Sequence, residues 1–488
     1  MAPNEIPGYY WDEKKQRYFK VEKGATAPSD AAWSSDKVKK RKLEDAASVE
    51  AIRRLNLNKN RVMRSRAVNQ PLMGGFFARE CGERDLDLPA AAFAQGLVEK
   101  GKIPLADASW GSNTNVKHML VAGKGHKNDI CTAYATLDET VVLSTYIPRD
   151  PTSGRVHRRL ISNHIDMPTH LRPNREMGMR QISDIKYSEK AHRVLITSRS
   201  PCSEVSTMIF APKRTDSDDP RPSWLIGESG TTLYMNARAY GDHAFNDYGA
   251  NVVCPAPRGN SYMFVVGSSR GLVHCGMDMS MGWSSPWGPG HYYGPQNSFL
   301  DIFAVDFQPL HPKVVLFGGR PGYLFKGDMR QNALKWSKLD LNNAITHIKP
   351  INENQVLVAG IRNMLSVYDL RYTAKFRGSL DLPAGMATPL FKIDQYKNDA
   401  HIKIGLDLDL ASGIAAAAHD DGKVALYSVR SGARLPSRDI DKIQSRHGAI
   451  HCLQFEPFPG DVTPTLFVGE HSNINAYTFG VDDPDDEA

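Results

Sequence analysis

The sequence Val356-Leu-Val-Ala-Gly-Ile-Arg-Asn-Met-Leu-Ser-Val-Tyr-Asp-Leu-Arg371 contains the pattern from which the architecture of this chain follows. An apolar run comes first, then a tight polar turn, then a second run in which apolar and polar residues alternate. The first run is typical of a buried strand, and the alternating run is typical of a strand with one more polar face. The stretch therefore predicts a β-hairpin.

Four other segments follow the same pattern, at 263–278, 314–330, 414–430 and 466–477. Equivalent turn positions are 51, 42, 59 and 50 residues apart, at Gly267, Gly318, Gly360, His419 and Gly469. These intervals bracket the about 40–50 residues of a four-stranded propeller blade. A single blade cannot bury both faces of its sheet, so the repeats are expected to stack in a ring.

Weaker strand-like runs at 141–146, 194–210 and 224–234 bring the expected number of blades to about seven. The sequence thus predicts an all-β fold, a WD40-type β-propeller with a basic, partly helical N-terminal extension. We expect the strand at 473–479 to close the ring by pairing with an early strand. The expected segments are an aromatic hairpin-like motif at 1–24, a basic linker and helical segment at 25–104, the propeller at 105–480 and an acidic tail at 481–488.

The charge of the chain is concentrated at its N-terminus. Residues 1–70 contain 16 Lys or Arg and 9 Asp or Glu, a net charge of +7, whereas the whole chain has a net charge of +6. The remainder therefore has a net charge of −1, which argues against a propeller surface devoted to nucleic acid. Binding of nucleic acid through the basic N-terminal segment stays open.

A cluster of basic residues lies in the first turns of a predicted helix that runs from Ser35 or Asp36 to about Leu55. Cations are unfavourable in the first turns of a helix, so the cluster favours an extended nuclear import signal, with a solvated helix face as the alternative. We expect the protein in the nucleus, with the cytoplasm left open. The residues of this predicted signal are Lys37, Lys39, Lys40, Arg41 and Lys42.

No pattern in the sequence predicts catalysis, a cofactor or a metal site. The stretch Gly267-Ser-Ser-Arg-Gly271 matches the nucleophile elbow of hydrolases, but a strand rather than a helix is expected after it. We therefore interpret it as a hairpin turn. The six cysteines are widely spaced and the histidines form no ligand pair at helical spacing. The sequence predicts neither a membrane span nor a small-molecule substrate.

Two successive repeats end in Asp-x-Arg, at Asp328-Met-Arg330 and Asp369-Leu-Arg371, and the next repeat keeps only Arg430. An Asp and an Arg two residues apart on a strand point to the same side, so the carboxylate can hold a guanidinium ready for a partner. The pattern resembles the W-D-x-R box of WD-repeat substrate receptors of cullin-4 ubiquitin ligases, except that Gly327 and Tyr368 replace the aromatic residue. The resemblance implies that these arginines bind the adaptor, with ordinary blade structure as the alternative.

The N-terminal run Pro7-Gly-Tyr-Tyr-Trp-Asp12, followed by Arg17-Tyr-Phe-Lys20, resembles the opening of the DDB1- and cullin-4-associated factor 4 group. Receptors of this class also engage the adaptor through a helix before the propeller. The resemblance makes 45–55 a candidate for such a helix, with an ordinary tail helix as the alternative.

An aromatic Gly/Pro-rich stretch at 281–293 is expected to form a loop. Propeller loops commonly bind partners, and exposed aromatic side chains make strong anchors. A lid folded over the ring is the alternative. The candidate contacts in this stretch are Trp283, Trp287, Tyr292 and Tyr293.

Together these features predict a non-catalytic scaffold, the substrate-receptor subunit of a cullin-4 RING ubiquitin ligase. Its expected partners are the adaptor subunit of the ligase and a protein substrate. The alternative is a nuclear WD-repeat scaffold for ribosome or chromatin assembly that uses its basic leader on nucleic acid.

Overall fold

The computed structural model describes part of the chain in two compact units, Met1–Met63 and Arg64–Ala488. The described residues are 9–12, 15, 17–22, 33–40, 42–44, 87–105, 115–123, 130–137, 139–150, 153–157, 174–177, 181–199, 207–212, 224–226, 230–235, 249–269, 271–284, 286, 300–372, 374–375 and 387–480.

The N-terminal unit contains a two-stranded antiparallel hairpin, Tyr9–Asp12 paired with Arg17–Lys20. Aromatic side chains hold it together, since Trp11 packs on Tyr18 with the ring centroids 4.6 Å apart. Phe19 stacks on Trp33, which lies two residues before a helical segment described at 35–40 and 42–44. An isolated hairpin is only marginally stable in water, because two strands bury little apolar surface. The stack of Phe19 on Trp33 adds an apolar contact outside the hairpin. The rest of the predicted helix, 45–55, lies outside the described residues.

Among the described residues the second unit contains seven sheets, six of four strands and one of five, which confirms the predicted fold class. We number the blades 1 to 7 and give their strands from the innermost outward. The bounds are His118–Ala122, Ile130–Thr136, Val141–Pro148 and Asn174–Met177 in blade 1; Ile182–Ser188, Arg193–Ser198, Thr207–Pro212 and Gly230–Met235 in blade 2; Ala250–Pro255, Tyr262–Ser268, Gly271–Gly276 and Met281–Ser284 in blade 3; Asp301–Phe307, Val314–Arg320, Tyr323–Asp328 and Ser337–Asp340 in blade 4; Ile345–Pro350, Gln355–Gly360, Leu365–Asp369 and Phe391–Lys392 in blade 5; Leu406–Asp409, Ile414–Ala418, Val424–Ser428 and Arg434–Leu435 in blade 6; and Cys452–Glu456, Thr465–Glu470, Asn473–Phe479 and Leu97–Pro104 in blade 7.

Short elements complete the unit. The strand Ala374–Lys375 adds a fifth strand to blade 4, and one α-helix, Leu88–Gln95, precedes the outer strand of blade 7. Single turns of 3-10 helix occupy Ala333–Lys335, Leu370–Tyr372 and Ile440–Lys442. None of the helices described is long and apolar enough to cross a membrane.

The ring is closed by strands from the two ends of the unit. Leu97–Pro104 pairs antiparallel with Asn473–Phe479, as expected for the latter strand. This outer strand lies upstream of residue 105, the predicted start of the propeller. Each innermost strand contacts the innermost strands of both neighbouring blades all the way round, including blade 7 with blade 1. Closure therefore leaves no terminal blade with an apolar face exposed to solvent.

The core of the described residues consists of eight hydrophobic clusters. Two of them lie between blades 1 and 2, and each of the other six spans one of the remaining interfaces between adjacent blades. The second strands are buried most completely, because both of their faces pack on neighbouring sheets. In blade 6 every residue of Ile414–Ala418 is fully buried. The run of four alanines is tolerated there because its small side chains let adjacent sheets approach closely. The first, apolar strand of the predicted hairpin pattern is the second strand of each blade, and it faces other blades rather than solvent.

The hairpin turns expected from the repeats are present. Tyr262–Ser268 pairs with Gly271–Gly276, so the stretch that matches a hydrolase elbow is a turn between antiparallel strands. A helix after the glycine, which a nucleophile elbow requires, is absent at this place because Gly271 begins a strand. The interpretation as a hairpin turn is confirmed.

Candidate protein-binding face

The direction of the strands determines which loops share a surface. Successive strands of a blade are antiparallel, so loops that follow the first and third strands emerge on one side of the ring. Loops that follow the second and fourth strands emerge on the other. Arg330, Arg371 and Arg430 all lie just after the third strands of blades 4, 5 and 6. We call the side that they share the arginine face.

In blade 5 the side chain of Asp369 holds Arg371 in one orientation. The Nε of Arg371 donates to both oxygens of Asp369 at 3.0 Å, and the backbone N–H of Arg371 donates to Oδ1 at 2.9 Å. The carboxylate is buried, with 4% of its side chain exposed, whereas the arginine is 65% exposed. Hydrogen bonds from Arg371 lower the pKa of Asp369. Asp369 thus orients the guanidinium from the buried side, while most of the Arg371 side chain is exposed to solvent.

Blade 4 repeats this arrangement. The Nε of Arg330 donates to Asp328 Oδ1 at 2.9 Å, and its Nη2 donates to Oδ2 at 2.6 Å. The Arg330 side chain is 64% exposed and that of Asp328 is 16% exposed. Hydrogen bonds from Arg330 lower the pKa of Asp328. Adjacent blades therefore present the same oriented, planar donor, which suits a carboxylate or carbonyl group on a partner.

The aromatic residue missing before Asp328 is supplied by Trp336, which directly precedes the fourth strand of blade 4. Gly327 lies under the indole of Trp336, and a Cβ at this glycine would come within 2.7 Å of the ring. Trp336 is 3% exposed, and its Nε1 donates to the backbone carbonyl of Asp328 at 3.1 Å. In blade 5 the buried Tyr368 occupies the position itself. Both boxes thus have an aromatic support.

Arg430 in blade 6 lacks the carboxylate two residues before it, since Ser428 takes that position. The Ser428 hydroxyl donates instead to Oδ1 of Asp87, and Ser431 donates to Oδ2. Asp87 directly precedes the helix Leu88–Gln95. The carboxylate at the end of this strand therefore comes from Asp87, far earlier in the chain. Its hydrogen bonds attach the helix Leu88–Gln95 to blade 6.

Replacing Asp87 by alanine should lower the free energy of unfolding by about 1–3 kcal/mol, because both hydroxyls lose a charged acceptor. Amide hydrogen exchange within Leu88–Gln95 should also become faster. Thermal unfolding and exchange measurements test this, with Asp394→Ala, an exposed carboxylate on the same ring, as the control. Equal unfolding temperatures for the two variants would contradict the role of Asp87.

Exposed apolar side chains collect on the arginine face. Of the large apolar side chains exposed on described residues of the ring, most lie in or beside loops of this side: Met277, Leu310, Leu390, Leu410, Val462 and Phe479. Leu310 is 82% exposed and Val462 is 96% exposed. The buried centres of protein interfaces are more apolar than the rest of the surface, and arginine is enriched in interfaces. The opposite side has no comparable set among the described residues.

A shallow cleft of about 320 Å³ lies beside Arg371. It is lined by the loop 352–355 of blade 5, which includes Glu353, and by Arg371 itself. The cleft gives an incoming side chain a place next to the fixed guanidinium. A partner that contacts Arg371 would therefore also contact the loop that follows the first strand of this blade.

The remaining predicted site residues are placed differently. Trp283 is not in a loop: it lies on the outer strand of blade 3, is half-buried and packs against the cluster between blades 2 and 3. Trp287, Tyr292, Tyr293 and Arg41 lie outside the described residues. The predicted import signal begins in the helical segment, where Lys39, Lys40 and Lys42 are exposed and Lys40 lies 3.9 Å from Glu44.

Sequence reasoning missed Trp336, Asp87 and the apolar loop residues. Trp336 does not match the box pattern because it follows Asp328 instead of preceding it. Asp87 is separated from Ser428 by 341 residues. Leu310 and Val462 follow the aromatic-x-Pro ends of their first strands, a signal that marks the loops but not the side of the ring on which they lie. In the described residues no group of three His, Cys, Asp or Glu side chains could hold a metal ion.

Comparison with known proteins gives structural likeness alone. No protein-family model matches the chain, and no curated protein matches it. The WD40 beta propeller domain of Doa1 is similar at 9% identity and a TM-score of 0.46, with 80% of this chain and 98% of that chain covered. The beta-propeller domain of Myceliophteria thermophila Cps50 (Swd1) is similar at 11% identity and a TM-score of 0.46, with 75% and 99% covered. The fold assignment rests on the seven sheets and their closed ring.

Proposed function

We propose that this protein is a non-catalytic docking subunit, the substrate receptor of a cullin-4 RING ubiquitin ligase. The observation that carries the proposal is the pair of adjacent blades that each present an aspartate-held arginine, Arg330 and Arg371, on one face. Exposed Leu310 and Leu410 lie in loops of the same face, so a partner would find both apolar contacts and fixed charged donors. The adaptor binds this face in the proposal, and other loops recruit a protein substrate.

The N-terminal unit supports the same proposal. The residues that resemble the DDB1- and cullin-4-associated factor 4 group, at 7–20, include both strands of the hairpin. A receptor of this kind performs no chemistry; it raises the local concentration of its target near a ubiquitin-charged enzyme. The exposed lysines at 39, 40 and 42 support nuclear import as part of the proposal.

The test is affinity purification of the tagged full chain beside an Arg330→Ala/Arg371→Ala variant, with co-purifying proteins identified by mass spectrometry. We expect the cullin-4 adaptor with the wild type and at least a thirtyfold weaker interaction with the variant, because a hot-spot arginine contributes about 2 kcal/mol or more. Both arginines are more than half exposed, but the buried carboxylate of Asp369 loses its charged donor in this variant. Circular dichroism of the purified variant must therefore show an intact fold before its adaptor binding is compared.

The matched control is Arg362→Ala/Arg446→Ala, which removes the same charge from exposed positions in loops of the opposite face. It should retain the adaptor. Recovery of the adaptor in equal amounts from all three proteins would rule out the arginine face as its site. Recovery of ribosomal or chromatin proteins without the adaptor would instead favour the scaffold that uses the basic leader on nucleic acid, and this binding would depend on salt and on residues 1–70.

A further inference from the structure

A cavity of about 550 Å³ fills the central channel of the ring, and the innermost strands of all seven blades contribute to its wall. This volume is in the range of small-molecule sites. Six lysine or arginine side chains line the cavity, against three aspartate or glutamate side chains. The channel therefore has an excess of positive charge, although the propeller region of the sequence is close to neutral.

The cations of the channel differ in their partners. Lys349 forms an ion pair with Asp407, with Nζ and Oδ1 2.7 Å apart, and Lys186 lies 3.8 Å from Asp184. Lys403 instead donates to two backbone carbonyls, those of Ser183 and Asn251, at 3.1 and 2.8 Å. No ion pair with a carboxylate is present at Lys403 among the described residues.

A second lysine and two histidines adjoin Lys403. The Nζ of Lys117 lies 3.1 Å from Nε2 of His451, whose Nδ1 bonds the carbonyl of Lys403 at 2.6 Å. His118 also lines the cavity; it is 8% exposed and its Nε2 has no hydrogen-bond partner. Burial, and then the charge of Lys403, hold the pKa of His118 well below its usual value. A buried polar nitrogen without a partner is costly and points to a ligand.

Lys403 also limits what can enter the channel. It belongs to blade 6, and its ammonium group reaches the carbonyls of blades 2 and 3 across the ring. A polypeptide cannot pass through the channel without displacing this side chain, whereas a compact anion can rest against the ammonium group. Burial lowers the pKa of Lys403 to about 8, and a bound anion would favour its charged form.

We propose that the central channel binds a compact anion of the phosphate class, held by Lys403, Lys117 and His118. The charged lysines supply the attraction, and the partly desolvated wall strengthens it relative to a site at the surface. This inference does not depend on the arginine face or on the ligase. It assigns to the ring a small-molecule site on the channel axis, separate from the protein-binding loops.

Isothermal titration calorimetry of the full chain with inorganic tripolyphosphate and with orthophosphate tests the proposal, at neutral pH and matched ionic strength. We expect saturable binding to the wild type and a loss of affinity of at least about tenfold in Lys403→Met and Lys117→Met, the effect of removing one charged hydrogen bond. Lys403→Arg should retain binding, and Lys335→Met, an exposed lysine of blade 4, is the control.

Two results would overturn the proposed anion site. Wild-type protein that shows no binding at millimolar phosphate overturns the proposal. Binding that survives Lys403→Met and Lys117→Met but is lost when Lys39, Lys40 and Lys42 are replaced by alanine places the anion on the basic leader, which also overturns it. If Lys403→Met fails to fold by circular dichroism, Lys117→Met alone decides, because Lys117 is only half-buried.

Discussion

A Leu97→Ala/Ile103→Ala variant should lose about 4–10 kcal/mol of stability, because each deletion in a packed core costs about 2–5 kcal/mol. Both side chains are fully buried. They belong to the strand that closes the ring, and they pack into two different interfaces: Leu97 between blades 6 and 7, and Ile103 between blades 7 and 1. A loss of this size is comparable with the whole stability of a typical domain.

Denaturant unfolding followed by circular dichroism measures this loss. The control is Lys102→Ala, because Lys102 lies on the same strand with 55% of its side chain exposed; it should change the stability by no more than about 0.5 kcal/mol. If the double variant unfolds at the same denaturant concentration as this control, the closing strand does not hold the ring together.

An Asp407→Ala variant should lose about 3 kcal/mol. One oxygen of Asp407 accepts from Lys349 Nζ of blade 5 and the other accepts from the backbone N–H of Phe455 of blade 7, both at 2.7 Å. Burial works against the charge of Lys349, but the carboxylates of Asp407 and Asp306 raise its pKa above the ordinary value. Removing one partner of a buried pair costs about 3–5 kcal/mol, and we expect the lower end because Lys349 is still 27% exposed.

The comparison variants are Lys349→Met and the double variant Asp407→Ala/Lys349→Met. The double variant should be more stable than the two separate losses predict, because it leaves no uncompensated charge. Purely additive losses would show that the two side chains do not stabilise each other. The unfolding temperature and the free energy of unfolding of the wild type, the two single variants and the double variant complete this double-mutant cycle.

The blade pattern could be predicted because it is local. Adjacent strands are joined by short turns, so the alternation at 356–371 determines both strands of one hairpin and the buried side of each. The Asp and the Arg of each box are two residues apart, and their contact also follows from strand geometry. One local pattern gave a wrong prediction. The Gly/Pro content after Met281 indicated a loop, but pairing with Gly271–Gly276 makes Trp283 part of the outer strand of blade 3.

The sequence by itself thus determined the repeat, the hairpins, the arginine boxes and the basic leader. Only the tertiary structure decided which early strand closes the ring, that Trp336 supports Asp328, that Asp87 replaces a carboxylate in blade 6, and that Lys403 spans the channel to Ser183. The physical reason is the range of the interactions. Strand pairing within a hairpin depends on neighbours in the chain, whereas closure and the channel join residues up to hundreds of positions apart, whose proximity depends on the packing of all seven blades.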